Sequence, residues 1–182
     1  MTGDDVLATI DAAVEPRTLR AVLGRFATGV AVVTTRTDAG TAVGMTVNSF
    51  SSVSLDPPLV LFCVSHFSQL RRPFIEGSHY AVCILDETQS ELSRQFARPG
   101  LDRSGQLTFA TGRSGTPLVP GALAVVECET TSVIPAGDHD IVLGRVVAVA
   151  AEADRGRLPL VFFGGGYRRL DPEYADWWTA FT

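Results

Sequence analysis

Short apolar runs broken by polar stretches set the pattern of this chain, and their spacing predicts mostly strands. Residues 30–35 are a β-branched run, Thr37-Asp38-Ala39-Gly40 is a turn, and 41–47 returns as the second arm of a hairpin. Residues 59–64 and 80–85 read as further short strands. Two longer strand signals, 122–134 and 139–151, flank Pro135-Ala136-Gly137-Asp138, which predicts a second hairpin. A last strand at 160–163 is closed by Gly164-Gly165-Gly166 and Tyr167. Helical spacing is confined to three places. Pro16 opens a pattern with Leu19, Val22, Leu23 and Phe26 on one face, which Gly29 is expected to stop. Residues 65–77 carry a short helix confined by Pro73. Asp86 and Gln89 make a capping-box pair before a helix through Leu92, Gln95 and Phe96 that ends ahead of Pro99.

Strands and helices do not alternate regularly, so a doubly wound parallel sheet fits poorly. The expected class is mainly β: an antiparallel barrel with helical covers. Residues 1–15 are weakly patterned and read as an N-terminal arm, 16–170 as one domain, and 171–182 as a tail carrying Trp177-Trp178. The stretch 98–115 is rich in glycine and reads as loop. No internal repeat or linker divides the 182 residues, which suffice for one full core.

Composition narrows the partners. Apolar residues make up 46% and charged residues 19%, a thinly charged surface for a lone chain, which points to an oligomer. A net charge of −5 argues against nucleic acid, whose phosphates need a basic footprint. No apolar run approaches the roughly 18 residues that span a bilayer. The N-terminus, with Asp4, Asp5 and Asp11, lacks the basic start of a signal peptide, so a cytoplasmic location is expected. Cys63, Cys83 and Cys128 lie far apart in apolar contexts and read as reduced core thiols.

The chemistry is concentrated where polar groups interrupt the core. In Thr46-Val47-Asn48-Ser49-Phe50-Ser51-Ser52, strand alternation would turn Thr46, Asn48 and Phe50 to one face and Val47, Ser49 and Ser51 to the other. Such a run is either a lip that hydrogen-bonds a flat polar ligand or a polar turn satisfying its own backbone. His139, between Asp138 and Asp140, could hold an amide or shuttle a proton, or could simply be an exposed turn residue. His66 and His79 complete no triad, and no metal-ligand spacing is present. Tyr167, Arg168 and Arg169 could stack on or pair with a bound anion.

In order along the chain, several motifs resemble the short-chain flavin reductase family, the reductase components of two-component flavin-dependent monooxygenases. They are Arg25-Phe26-Ala27-Thr28-Gly29-Val30, then Gly44-Met45-Thr46-Val47-Asn48-Ser49-Phe50-Ser51-Ser52, then Pro57-Pro58-Leu59-Val60. Phe96-Ala97, Glu127-Cys128, Gly137-Asp138-His139-Asp140 and Gly165-Gly166-Tyr167 follow. The resemblance implies an antiparallel, Greek-key-like split β-barrel homodimer that binds FMN or FAD near its interface. It implies reduction of that flavin by NADH or NADPH, and release of the reduced flavin to a separate monooxygenase. By the same likeness Thr46, Asn48, Ser49 and Phe50 would line the isoalloxazine, with Ser51 and Ser52 nearby. Ser65, Ser68, Phe96 and Ala97 would lie toward the ribityl phosphate, and His139 and Tyr167 would face the nicotinamide. Two departures touch the phosphate contacts: Ser65-His66-Phe67-Ser68-Gln69 lacks the family's usual basic residue, and no aromatic directly follows Arg103. A site of neutral donors suits chemistry carried by cofactors rather than by a protein nucleophile. Rival readings are a split-barrel oxidase that keeps its flavin, and a flavin- or haem-binding module without turnover.

Overall fold

The structure, a computed structural model, describes residues 14–98, 107–154 and 156–171. Helix α1 (Pro16–Leu23) precedes strands β1 (Thr28–Gly29), β2 (Ala31–Arg36), β3 (Ala42–Val47), β4 (Ser51–Leu55) and β5 (Pro58–Ser65). Helix α2 (Arg71–Glu76), β6 (His79–Ile84), a 3-10 turn (Glu87–Gln89) and α3 (Ser90–Ala97) follow. The remaining strands are β7 (Ala110–Thr111), β8 (Pro117–Leu118), β9 (Ala124–Ala136), β10 (His139–Ala151), β11 (Val161–Phe163) and β12 (Gly166–Arg168).

Seven strands pair antiparallel in the order β3-β2-β6-β9-β10-β5-β4. Val43 and Val47 of β3 and Val60, Phe62 and Val64 of β5 lie far apart in that order, yet they share one hydrophobic cluster. A flat sheet could not bring them together, so the sheet curls around this cluster. The curled sheet is the barrel. A second cluster lies on the outer face, where Val32, Ala81, Cys83 and Leu85 meet Phe96 of α3 and, from the C-terminal hairpin β11–β12, Phe162 and Tyr167. Burial on both faces explains why β2 reads as an unbroken β-branched run rather than an alternating one.

The capping box forms as expected: Thr88 N–H donates to the Asp86 carboxylate and Asp86 N–H to the Gln89 side-chain oxygen. It opens the 3-10 turn that leads into α3. The hairpin β9–β10 turns at Gly137-Asp138, where Gly137 has a positive φ of 68°. Two expectations need correction. Helix α1 ends at Leu23, capped by Gly24, whose N–H bonds to Arg20 O, rather than running to Gly29. Its apolar face, with Leu19, Val22 and Leu23, is exposed, and so is Phe26 beyond it. Strand β4 occupies part of the polar run, because main-chain pairing with β5 holds it where its serines offer no apolar pattern.

Burial pushes the thiols of Cys83 and Cys128 up to about 11, as expected for core cysteines. Cys63 differs: it is half-buried and faces a cavity. The N-terminal arm up to residue 13, Arg103, and Trp177-Trp178 of the tail lie outside the described residues. Among the described residues no helix is long and apolar enough to cross a membrane.

Candidate active site

A cavity of about 480 Å³ opens where four backbone segments meet: the end of β3, the end of β5 with the turn after it, the C-terminal end of α3 and the start of β10. Gly44 lets these segments close together. A Cβ there would lie 3.2 Å from the Phe96 ring and 3.1 Å from the Thr34 methyl group. The small residue thus allows α3 to settle on β3 and bring Phe96, Ala97 and Arg98 to the cavity wall.

Eight of the twelve residues singled out from the sequence line this one cavity. Thr46, Asn48 and Ser49 come from the β3 end, Ser65 and Ser68 from the β5 end, Phe96 and Ala97 from α3, and His139 from β10. Four do not. Strand β3 stops at Val47, so the alternation does not carry on: Phe50 packs against the barrel cluster that also holds Val47. Ser51 and Ser52 sit exposed on edge strand β4. Tyr167 stands on β12, where its hydroxyl meets the buried Ser93 hydroxyl at 2.7 Å and Arg94 lies 5.2 Å over its ring. It braces α3 from behind rather than sharing a wall with His139.

The hydroxyls fall into two groups. Thr46 donates to Ser93 O at 2.7 Å, pinning α3 to β3. Ser49 accepts from Cys63 N–H at 3.0 Å and so stitches the β3–β4 turn to β5. Those two groups are engaged within the protein. Ser65 and Ser68 instead accept from Phe67 N–H at 3.3 Å and Leu70 N–H at 3.2 Å. Each keeps its own O–H to donate. Arg98, exposed at the end of α3, adds a permanent positive charge to the lining. Sequence reasoning missed it, although cations near a helix C-terminus are a common arrangement.

His139 sits at the rim with its Nδ1 2.6 Å from an Asp138 carboxylate oxygen. The histidine's hydrogen bond and charge hold that carboxyl below its ordinary value. In the tautomer that donates Nδ1–H to Asp138, the ring leaves Nε2 as an acceptor. Behind it, the nearly fully buried Asp140 receives Arg71 Nε at 2.6 Å and lies 3.2 Å from His66 Nε2. The Arg71 hydrogen bond, opposed by desolvation and aided by His66, holds the Asp140 carboxyl below its ordinary value. Asp140 thereby anchors both ends of the 66–71 turn. Among the described residues no group of His, Cys, Asp and Glu could hold a metal ion.

A family model described as a flavin reductase like domain matches residues 23–171. The chain is 43% identical to an FMN reductase (NADH) from Agrobacterium fabrum over 85% of this chain and 86% of that one. It is 42% identical to the reductase component of a flavin-dependent trigonelline monooxygenase from Acinetobacter baylyi, over 88% of this chain and 51% of that one. It spans about half the length of that relative and of a probable flavin reductase from Rhizobium meliloti, 51% and 48% respectively. An NADH:FAD oxidoreductase from Streptomyces globisporus, solved with NAD and FAD fragments, superposes with a TM-score of 0.81 at 37% identity, covering 89% of this chain and 98% of its own. With the model match spanning most of its length and relatives above 40% identity, this chain belongs to the flavin reductase-like family.

Proposed function

We propose that the chain is an NAD(P)H:flavin oxidoreductase that reduces FMN or FAD and supplies the reduced flavin to a separate monooxygenase. The observation that carries this reading is the cavity itself, lined by neutral hydrogen-bonding groups with Arg98 and His139 beside them and, among the described residues, offering no nucleophile–base pair. A flavin and a nicotinamide nucleotide bring their own hydride chemistry, so the chain has only to bind, orient and shield. Asn48 would hydrogen-bond the polar edge of the flavin ring, next to the turn that Ser49 fixes. The free O–H groups of Ser65 and Ser68, with Arg98, suit the phosphate. The His139 Nε2 acceptor would take an N–H from the nicotinamide amide and set its ring against the flavin.

Steady-state NADH and NADPH oxidation with added FMN or FAD tests the reading: flavin-dependent turnover is expected, and none with any pairing would sink it. A protein that stays yellow after desalting would favour the flavin-retaining oxidase. His139→Ala is expected to raise the nicotinamide KM about ten-fold, the value of one lost hydrogen bond near 1.4 kcal/mol, while flavin binding persists. A nicotinamide KM equal to wild type would remove His139 from the site. Arg98→Ala is expected to weaken FMN binding and to flatten its dependence on salt, as loss of a phosphate contact should; binding titrations across ionic strength check it. The same reading includes a homodimer in the cytoplasm, and the uncovered face of α1 supports a surface that a second copy covers.

A further inference from the structure

The turn after β5 is built to hold one side chain away from the core. His66 N–H bonds to Asp138 O at 2.9 Å, Ser68 N–H to Ser65 O at 3.0 Å, and Arg71 N–H to Ser68 O at 3.0 Å. The His66 and Arg71 side chains are tied to Asp140 at 3.2 and 2.6 Å. This turn buries Leu70 and, one helical turn on, Phe74, yet leaves Phe67 87% exposed on the cavity lining. A phenyl ring held in water by a rigid turn gives up most of the stabilisation that burying it would bring. The core does not need it there.

Its neighbours indicate what would cover it. Phe67 lies between Ser65 and Ser68 in the chain, and these three and Arg98 line the same cavity, with both serine O–H groups left to donate. An aromatic face beside anion-binding donors fits a ligand in which a flat ring is joined through phosphate, which is a nucleotide. On the proposed function the isoalloxazine belongs at the Thr46–Ser49 end, so the ring beside the phosphate donors is a second one. FMN ends at its phosphate and offers no second ring there. FAD continues through a second phosphate to adenosine. We infer that Phe67 is a specificity-determining residue that stacks on the adenine of FAD and makes FAD the preferred flavin over FMN.

This inference rests on the proposed function, and the test separates the two. Titrating the full chain with FMN and with FAD, by quenching of flavin fluorescence, should give tighter binding of FAD. Phe67→Ala should cut the FAD-to-FMN affinity ratio about ten-fold, in the range measured for loss of one stacked base, and Phe67→Tyr should retain it. If the wild-type chain binds neither flavin, the proposed function falls. If it binds FMN as tightly as FAD, or if Phe67→Ala leaves the ratio intact, only this inference falls. Two other outcomes also overturn it. An altered NADH KM with FMN as acceptor and an unchanged flavin ratio would assign the ring to the adenine of the nicotinamide dinucleotide. A changed oligomeric state by sedimentation with an unchanged ratio would assign it to a second copy of the chain.

Discussion

Gly144→Ala is expected to lower the melting temperature by about 6–12 °C, from an overpacking cost of about 3 kcal/mol in a chain of this size. A Cβ at Gly144 would overlap the Tyr80 hydroxyl and lie 2.8 Å from two ring carbons. Neither side can give way. Tyr80 is 1% exposed and packs edge-on against Phe62 at 5.0 Å, and Phe62 packs against Phe74 at 5.5 Å. Gly144 itself is held between Val60 of β5 and Thr130 of β9, at a register shift in the β9–β10 ladder. The Tyr80 hydroxyl is buried beside the weakly hydrogen-bonding Cys128 thiol, so Tyr80→Phe alone should melt close to the wild-type temperature. The double variant should recover part of the loss, since the ring carbons still crowd the new methyl. Thermal melts of the four proteins check this, and a Gly144→Ala protein as stable as wild type would refute it.

Asp140→Ala is expected to lower kcat/KM for the flavin by up to about a hundred-fold, the scale on which a displaced wall of a site can act. The carboxylate contributes nothing to the cavity lining. Its removal releases His66 and Arg71 together, and with them the turn that carries Ser65, Phe67 and Ser68. Asp140→Asn, which can still accept one hydrogen bond, should fall in between. The pH dependence has a definite sign. The folded carboxyl titrates below its ordinary 3.8, so its contribution to stability is complete above that value and is lost as pH falls through the lower folded one. Acid melts of Asp140→Ala should lack that part of the decline. Equal turnover in wild type and Asp140→Ala would show that the turn holds itself.

The barrel was legible because its inner strands carry apolar runs bounded by turn residues. Hairpins 30–47 and 122–151 and the Asp86–Gln89 box stand where the pattern put them. Strand β4 was not legible, because an edge strand is held by its backbone and its serines need no apolar partner. The site was legible as a set of segments, less so as directions. Eight residues meet in one cavity, but the alternation assumed through Phe50 required a strand that ends at Val47. Tyr167 misled for a different reason: a tyrosine beside arginines also fits a brace, and Ser93 takes its hydroxyl. Arg98 and Phe67 went unnoticed because their importance depends on which chain end turns toward the cavity, a long-range fact. Cys63 has the same alternating strand context as its core neighbours and differs only in which way β5 turns it.

On the proposed function, the two buried thiols bear on how the molecule would survive its own chemistry. Reduced flavin released into aerated water reacts with dioxygen and yields peroxide, and peroxide attacks the thiolate rather than the thiol. With burial pushing their pKa values up to about 11, Cys83 and Cys128 stay protonated thiols at neutral pH. Two of the three thiols are therefore inert toward the oxidant that uncoupled turnover would generate. Oxidative ageing should begin elsewhere, with Cys63 at the cavity wall as the thiol most open to attack.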